Sequence, residues 1–167
     1  MTLKEGRENF IQAWGTLGAS WGINKAMAQI HALFLISPRS LSTEEIMDEL
    51  SMSRGNTNMN VRTLIDWGLL YREHKPGDRK EYFFAEKDMW EVARRIARER
   101  RKREMEPVLR LLGQFKDVKL DKSEEADEFK KMTGEISKFS QKADGMLDKF
   151  IRSDQNWFYG TMLKLMR

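Results

Sequence analysis

Residues 42–68 have the sequence STEEIMDELSMSRGNTNMNVRTLIDWG, and this stretch decides the fold. Its first four residues have the spacing of a capping box, in which a serine hydroxyl and a glutamate carboxylate each accept from the other residue's backbone N–H. This spacing predicts a short helix over about 43–50. Ser53 is a second N-cap candidate, and Gly68 stands where the following helix would end. The stretch therefore predicts two helices joined by a tight turn.

Beyond Gly68 the apolar residues change towards a period of two, which is typical of strands. Residues 69–73 and 80–84 are the two strand candidates, and Lys75-Pro76-Gly77-Asp78 between them is a turn sequence. Upstream, a helix is predicted from about Asn24 to Ser37, because an N-cap residue begins it and a proline follows it. Three helices followed by a two-stranded wing are the order of a winged helix-turn-helix domain, here residues 24–87.

Helices are predicted on both sides of this domain, so the fold class is mainly α with a small β-hairpin wing. Residues 1–23 form an amphipathic N-terminal helix with a large aromatic face, made of Leu3, Phe10, Trp14, Leu17 and Trp21. Residues 88–167 form a C-terminal helical region, in which Pro107 either kinks a helix or starts a new one. Its long helix opens at Ser123 and has apolar residues at alternating spacings of three and four, namely Phe129, Met132, Ile136, Phe139, Ala143, Met146 and Phe150. Such a seam packs against another helix, in this chain or in a second copy. A last helix is predicted from Asp154, with Trp157, Phe158, Met162, Leu165 and Met166.

Composition excludes several classes of protein. Hydrophobic residues make up 40% and charged residues 34%, which indicates a folded chain with a highly charged surface. The net charge of +4 permits nucleic-acid binding. There are no cysteines, no apolar run long enough to span a membrane and no signal peptide, so we expect a cytoplasmic protein without a membrane partner.

The second helix of the helix-turn-helix carries the side chains best suited to contact DNA bases. Arginine can donate twice to guanine and asparagine can bond adenine in both directions, while small residues near the helix start allow close approach to the major groove. Asparagine and glycine also destabilise a helix interior, which points to a functional demand on Gly55 and the three asparagines at 56, 58 and 60. The predicted DNA-contacting residues are Arg54, Gly55, Asn56, Asn58, Met59 and Arg62 on the helix, and Lys75, Arg79 and Lys80 on the wing.

Other charged and titratable residues do not indicate chemistry. The basic run at 94–103 could touch phosphates, but a solvated helix face is the favoured interpretation. His31 lies within an apolar helix and His74 at the wing, and no phosphate-binding glycine loop is present. We therefore predict that the chain is not an enzyme and holds no cofactor or metal.

With these residues in view, the chain resembles the GbsR branch of the MarR-type bacterial transcriptional regulators. The resemblance covers about residues 10–112. It is carried by Trp14-Gly15, Trp21-Gly22-Ile23, Leu41-Ser42-Thr43-Glu44-Glu45-Ile46, Ser53-Arg54-Gly55-Asn56, Asn58-Met59-Asn60-Val61-Arg62, Asp66-Trp67-Gly68-Leu69 and Lys75-Pro76-Gly77-Asp78-Arg79-Lys80-Glu81-Tyr82-Phe83. Where the broader MarR pattern often ends its wing in a Leu-Thr pair, this chain has Phe84-Ala85-Glu86.

The resemblance implies a homodimer that binds an inverted-repeat operator through double-stranded DNA contacts, with N-terminal and C-terminal dimerisation helices at its interface. Repression is the commoner mode in such regulators. Some GbsR-like proteins sense choline or glycine betaine, and a small-molecule effector of this type would bind in an aromatic cage. The five tryptophans lie on apolar stripes, so core packing is the favoured role for them. The alternative to a DNA-binding regulator is a winged-helix scaffold for protein interactions that does not bind DNA.

Overall fold

The computed structural model describes residues 1–119, 121–156 and 160, and the chain divides into two compact units, Met1–Val92 and Ala93–Arg167. The first unit contains α1 (Leu3–Ser20), α2 (Lys25–Ile36), β1 (Leu41–Ser42), α3 (Thr43–Leu50), α4 (Arg54–Asp66), β2 (Leu70–Glu73) and β3 (Tyr82–Ala85). Helix α5 (Met89–Arg100) begins in the first unit and continues into the second, which also holds α6 (Glu106–Gln114) and α7 (Glu124–Arg152). The architecture is a winged helix-turn-helix domain with additional helices, as predicted.

Local hydrogen bonds define the ends of the helix-turn-helix. The hydroxyl of Ser42 accepts from the N–H of Glu45 at 3.3 Å, and the Glu45 carboxylate accepts from the N–H of Ser42 at 2.7 Å. This capping box starts α3 as predicted. Ser51 ends α3 in the left-handed conformation, and the Ser53 hydroxyl then accepts from the N–H of Asn56 to start α4. The turn between the two helices is therefore specified by its own serines.

The predicted hairpin is present as the antiparallel pair β2 and β3, and β1 adds a third strand to it, in the order β1-β3-β2. Leu41 and Ser42 pair with Phe83 and Tyr82, so the connection predicted at residues 38–41 ends in a strand. A strand of two residues is too short to show a period, and this is why the sequence pattern did not reveal it.

The core of the first unit forms around α2. Ile30, Leu33 and Phe34 on α2 are fully buried with side chains from α3, α4 and β2, namely Ile46, Leu64 and Leu70. Full burial of one such side chain contributes about 1.5–3 kcal/mol. Because α2 packs against α3, α4 and β3, this core holds α3 and α4 in a fixed relation to the sheet, which is what a presented recognition helix requires.

Helix α1 packs on α2 with a face that differs from the predicted aromatic one. The buried positions are Ile11, Gly15 and Gly18, and a Cβ atom added to Gly18 would lie 2.6 Å from the Cβ of Ala28. Close backbone approach thus replaces burial of large side chains. Of the predicted aromatic face, Phe10 and Trp14 are half-buried, while Leu3, Leu17 and Trp21 are exposed within the chain.

In the second unit the helical path continues past Pro107. Residues Arg101–Met105 form a π-helical turn, and Pro107 then stands in the first turn of α6. Proline has no N–H to donate to the carbonyl four residues earlier and its ring crowds that carbonyl, so the preceding turn widens. A short 3-10 turn, Phe115–Asp117, follows α6. The last helix predicted from Asp154 lies almost entirely outside the described residues, as Trp157, Phe158, Met162, Leu165 and Met166 all do.

Among the described helices, none is both long enough and apolar enough to cross a lipid bilayer.

Candidate nucleic-acid interface

Helix α4 is anchored to the core by one side and presents the other. Thr57, Val61 and Leu64 are buried, as their spacing predicted. On the opposite side Arg54, Gly55, Met59 and Arg62 are exposed, and Asn56 and Asn58 are half-buried beside them. Met59 is an apolar side chain with 57% of its surface exposed, which is an unusual position for methionine on a helix that is otherwise polar on this side.

The asparagines of α4 do not share one role. Asn60 is buried, and its amide nitrogen donates to both the backbone and the side-chain oxygens of Asn56 at 2.8 Å. A packing reason therefore exists for Asn60, and part of the hydrogen-bonding capacity of Asn56 is already used. Asn58 makes no hydrogen bond through its side chain to other described residues, so its amide is available to a ligand. A functional reason is therefore still needed for Asn58 and, in part, for Asn56, but not for Asn60.

Arg54 is engaged by Glu44, which is not one of the predicted DNA-contacting residues. Its guanidinium donates to the carboxylate of Glu44, in the first turn of α3, at 3.0 Å. The pKa of Glu44 is lowered mainly by a hydrogen bond from its own backbone N–H, and next by the hydrogen bond from the Arg54 side chain. Residues ten positions apart on different helices have no spacing signal, so only the angle between α3 and α4 reveals this pair. The Arg54 nitrogen that donates to Glu44 would have to leave that carboxylate before it could donate to another acceptor.

The wing tip is ordered by a small network around Asp78. Gly77 adopts a positive φ of 81°, which the turn requires. The Asp78 carboxylate accepts from the N–H of Lys80 at 3.0 Å and from the Tyr82 hydroxyl at 2.7 Å. These bonds, led by the one from Lys80, lower the pKa of Asp78, and the bond to Asp78 raises the pKa of Tyr82. The ammonium of Lys75 lies 3.9 Å from the centre of the Tyr82 ring, a cation–π contact.

Strand residues of the wing lie beside α4, whereas the predicted wing residues Lys75 and Lys80 lie near other elements. Asn58 and Arg62 line a cleft of 170 Å³ together with Arg72 and Glu81 of the wing, which form an ion pair at 3.7 Å. Lys80 lies close enough to Glu44 to lower its pKa electrostatically. Lys75 lines a different cavity, of 430 Å³, together with Arg39 and Lys87. Sequence reasoning missed Arg72 and Glu81, because alternating strand positions do not show which helix they approach.

Two of the predicted arginines remain unneutralised. Arg62 on α4 and Arg79 at the wing tip are exposed, and neither makes an ion pair with any residue that the structure describes. Uncommitted guanidinium groups on an exposed helix face and on a hairpin tip can donate to base edges and phosphates without first breaking internal bonds.

The basic run at 94–103 is partly used inside the second unit. Arg94 donates to the backbone oxygen of Ile151 at 2.7 Å, and Arg101 makes a bidentate contact with Asp144 at 2.7 and 2.9 Å. Arg101 also reaches Asp148 at 3.2 Å. This pairing lowers the pKa of Asp144 and raises that of Arg101. These contacts hold α7 to the preceding helices, so the run stabilises the second unit in addition to forming a charged face.

His31 and three of the four described tryptophans are buried or half-buried, whereas His74 and Trp21 are exposed, so the predicted core-packing role is wrong for Trp21. His31 is buried beside Trp14, and burial lowers its pKa to about 4, so the imidazole is neutral at physiological pH. Trp67 is buried, Trp14 and Trp90 are half-buried and Trp21 is exposed, while Trp157 lies outside the described residues. Among the described residues, no group of three or more histidine, aspartate or glutamate side chains could hold a metal ion.

Comparison with known proteins agrees with this architecture. Residues 21–81 match the sequence model of the MarR family, a family of non-enzymatic, DNA-binding transcriptional regulators. This match agrees with the prediction that the chain is not an enzyme. A solved structure described as the crystal structure of a transcriptional regulator is similar with a TM-score of 0.56, at 21% sequence identity, over 86% of this chain and 99% of its own. That likeness shows a shared fold. No curated protein matches the chain significantly.

Proposed function

From its MarR-type winged helix-turn-helix domain, we propose that the chain is a sequence-specific DNA-binding transcriptional regulator whose α4 enters the major groove. The observation that carries the proposal is the state of the exposed side of α4. Arg62 and Asn58 lie there with their side chains uncommitted, next to a wing that carries Arg79 and Lys80. Exposed arginine and asparagine on a helix are suited to contact base edges, and a basic hairpin is suited to contact phosphates.

The finer parts of the proposal follow the resemblance to GbsR-like regulators. The regulator acts as a homodimer on an inverted repeat, and it represses by occupying an operator. Residues 24–87 supply the DNA-binding domain, and residues 1–23 and 88–167 supply helices for dimerisation. A twofold dimer predicts two half-sites whose centres lie about 10 base pairs apart or a multiple of that spacing.

Selection of bound sequences from a pool of random duplexes identifies the operator, and single variants then test which residues contact it. We expect Arg62→Ala to reduce discrimination at one base pair by about 1–3 kcal/mol, because one bidentate contact to a base is lost. Arg79→Ala should weaken binding to all duplexes and make it less dependent on salt. Arg7→Ala, an arginine on α1, is the matched control. If neither Arg62→Ala nor Arg79→Ala changes affinity for any duplex, a protein-interaction scaffold is the better description of the chain.

A small-molecule effector of the choline or glycine betaine type is also part of the proposal. Its support is the resemblance alone. The test adds each compound to the complex with the selected operator and measures DNA affinity by fluorescence anisotropy. A saturable change in affinity supports such an effector, whereas unchanged affinity with both compounds removes this part and leaves DNA recognition unaffected.

A further inference from the structure

The described residues of the chain leave most of the apolar seam of helix α7 uncovered. The seam consists of Phe129, Met132, Ile136, Phe139, Ala143, Met146 and Phe150. Five of these side chains have between 38% and 74% of their surface exposed. The side of α7 that the chain itself buries is a neighbouring one with smaller residues, marked by Ala126, Ser140 and Ile151. An apolar stripe of this length needs a partner, because a solvated helix gains nothing from seven aligned apolar positions.

The spacing of the seam specifies the kind of partner. Its residues alternate strictly between steps of three and four over the whole of α7. In heptad terms Phe129, Ile136, Ala143 and Phe150 are a positions and the other three are d positions. A strict repeat of this kind is the pattern of a left-handed coiled coil between two α-helices. The partner is therefore a helix with an equivalent seam.

The charges beside the seam indicate which helix is the partner and whether it runs parallel or antiparallel to α7. The g positions, next to the seam on its outer side, are Glu128, Glu135, Lys142 and Lys149. The e positions, Thr133, Ser140 and Leu147, carry no charge and are buried or half-buried against the rest of the unit. A parallel pair places g against e and would leave the four charges without partners. An antiparallel pair places g against g, so that acidic residues from one end of α7 meet basic residues from the other end.

We propose that α7 pairs with α7 of a second copy in an antiparallel coiled coil. In the register that matches the charges, Glu128 faces the partner's Lys149 and Glu135 faces the partner's Lys142. The same register places Met132 against the partner's Ala143 and Ile136 against the partner's Phe139. One alignment of the two helices therefore pairs both the opposite charges and the apolar residues, although the seam and the charges are separate observations. The twofold axis passes near Ser137. The inference rests on the homodimer in the proposed function and adds its interface and direction.

The local ion pairs of α7 are compatible with this arrangement. Glu128 and Glu135 contact Lys131 and Lys138, respectively, at 3.3 and 3.6 Å, and these lysines are well exposed. Exposed pairs of this kind contribute little and exchange readily. Lys142 and Lys149 make no ion pair with any described residue, so both are available to a second chain.

The absence of cysteine in the sequence makes disulfide trapping a sharp test. Two full-length single variants, Met132→Cys and Ala143→Cys, are prepared, and one of them carries a size tag. Each is oxidised alone. In a parallel sample the two are mixed, denatured, refolded together and then oxidised. We expect a covalent dimer from the mixture and almost none from either variant alone, because only unlike positions face each other. Cross-linking of Met132→Cys with itself would indicate a parallel pair. No cross-link in the mixture would overturn the proposed register.

Charge reversal gives a second test that does not depend on introduced cysteines. Glu135→Lys places a lysine opposite the partner's Lys142 twice in the dimer, and we expect dimerisation to weaken roughly tenfold in sedimentation measurements. Adding Lys142→Glu to the same chain should restore it. Asp127→Lys, which makes the same charge change away from the seam, is the control. Equal effects of Glu135→Lys and Asp127→Lys, or failure of the double variant to recover, would contradict the pairing.

These outcomes are separable from failure of the proposed function. If the covalent dimer forms but binds no duplex selectively, the interface stands and DNA recognition is wrong. If the chain selects paired half-sites but no variant supports α7 pairing, DNA recognition stands and the interface is wrong.

Discussion

Replacement of Glu44 by glutamine should strengthen DNA binding. The Glu44 carboxylate holds the Arg54 guanidinium at 3.0 Å, and both side chains are well exposed, at 40% and 59%. An exposed pair of this kind contributes about 0.2–1 kcal/mol, which Arg54 loses when it turns to DNA. For a phosphate at a separation of about 8 Å, removing one negative charge adds roughly 0.5 kcal/mol. The sum, about 1 kcal/mol, corresponds to roughly fivefold tighter binding.

The salt dependence gives this prediction a second, independent readout. Because Arg54 reaches the DNA in both proteins, Glu44→Gln adds no phosphate contact, and the slope of log affinity against log salt between about 50 and 200 mM should change by much less than the roughly 0.9 that one added contact gives. Fluorescence anisotropy with a duplex of unrelated sequence measures both the affinity and the slope. Glu49→Gln is the matched control, because Glu49 lies on the same helix and pairs with Arg7 at 3.6 Å. Unchanged or weaker binding by Glu44→Gln would refute the view that Glu44 restrains a DNA-contacting arginine.

Two further predictions concern Gly55 and His31. A Cβ at Gly55 would have no atom within 4 Å, so Gly55→Ala should stabilise the fold by about 0.5–1 kcal/mol in chemical denaturation. The same change should weaken operator binding if the backbone of α4 approaches DNA here, and unchanged affinity would show that it does not. Burial lowers the pKa of His31 from 6.5 to about 4. The unfolded chain therefore binds more protons between these pH values, and stability should fall by about 3 kcal/mol as pH drops across that window. His31→Leu should remove most of this dependence, measured by denaturation at several pH values with His74→Leu as control. An equal dependence of stability on pH in the two variants would contradict this role of His31.

Local hydrogen bonding explains which parts of the fold could be predicted from the sequence. The capping box at Ser42 and the N-cap at Ser53 involve residues three apart, so their spacing alone specified where α3 and α4 begin. The apolar periods likewise specified the buried side of α4. By contrast, β1 is too short to show a period, and its pairing with Phe83 spans more than forty residues.

The candidate site was predictable in its residue types but not in its internal bonds. Spacing placed Arg54 and Arg62 on one exposed side of α4, yet it could not show that Glu44 engages Arg54 and leaves Arg62 uncommitted. Composition likewise could not separate Asn60, which is buried and bonded to Asn56, from Asn58. Both distinctions depend on where neighbouring helices lie. The face of α1 was mispredicted for a similar reason, because glycines at positions 15 and 18 bring it onto α2 more closely than its aromatic residues allow.

A crystal structure of the chain bound to its selected duplex would show which surface contacts DNA. We expect α4 to lie in the major groove, with Asn58 and Arg62 within hydrogen-bond distance of base edges and Arg79 near the DNA backbone. A complex in which another surface contacts the duplex, with this side of α4 remote from every base, would contradict it.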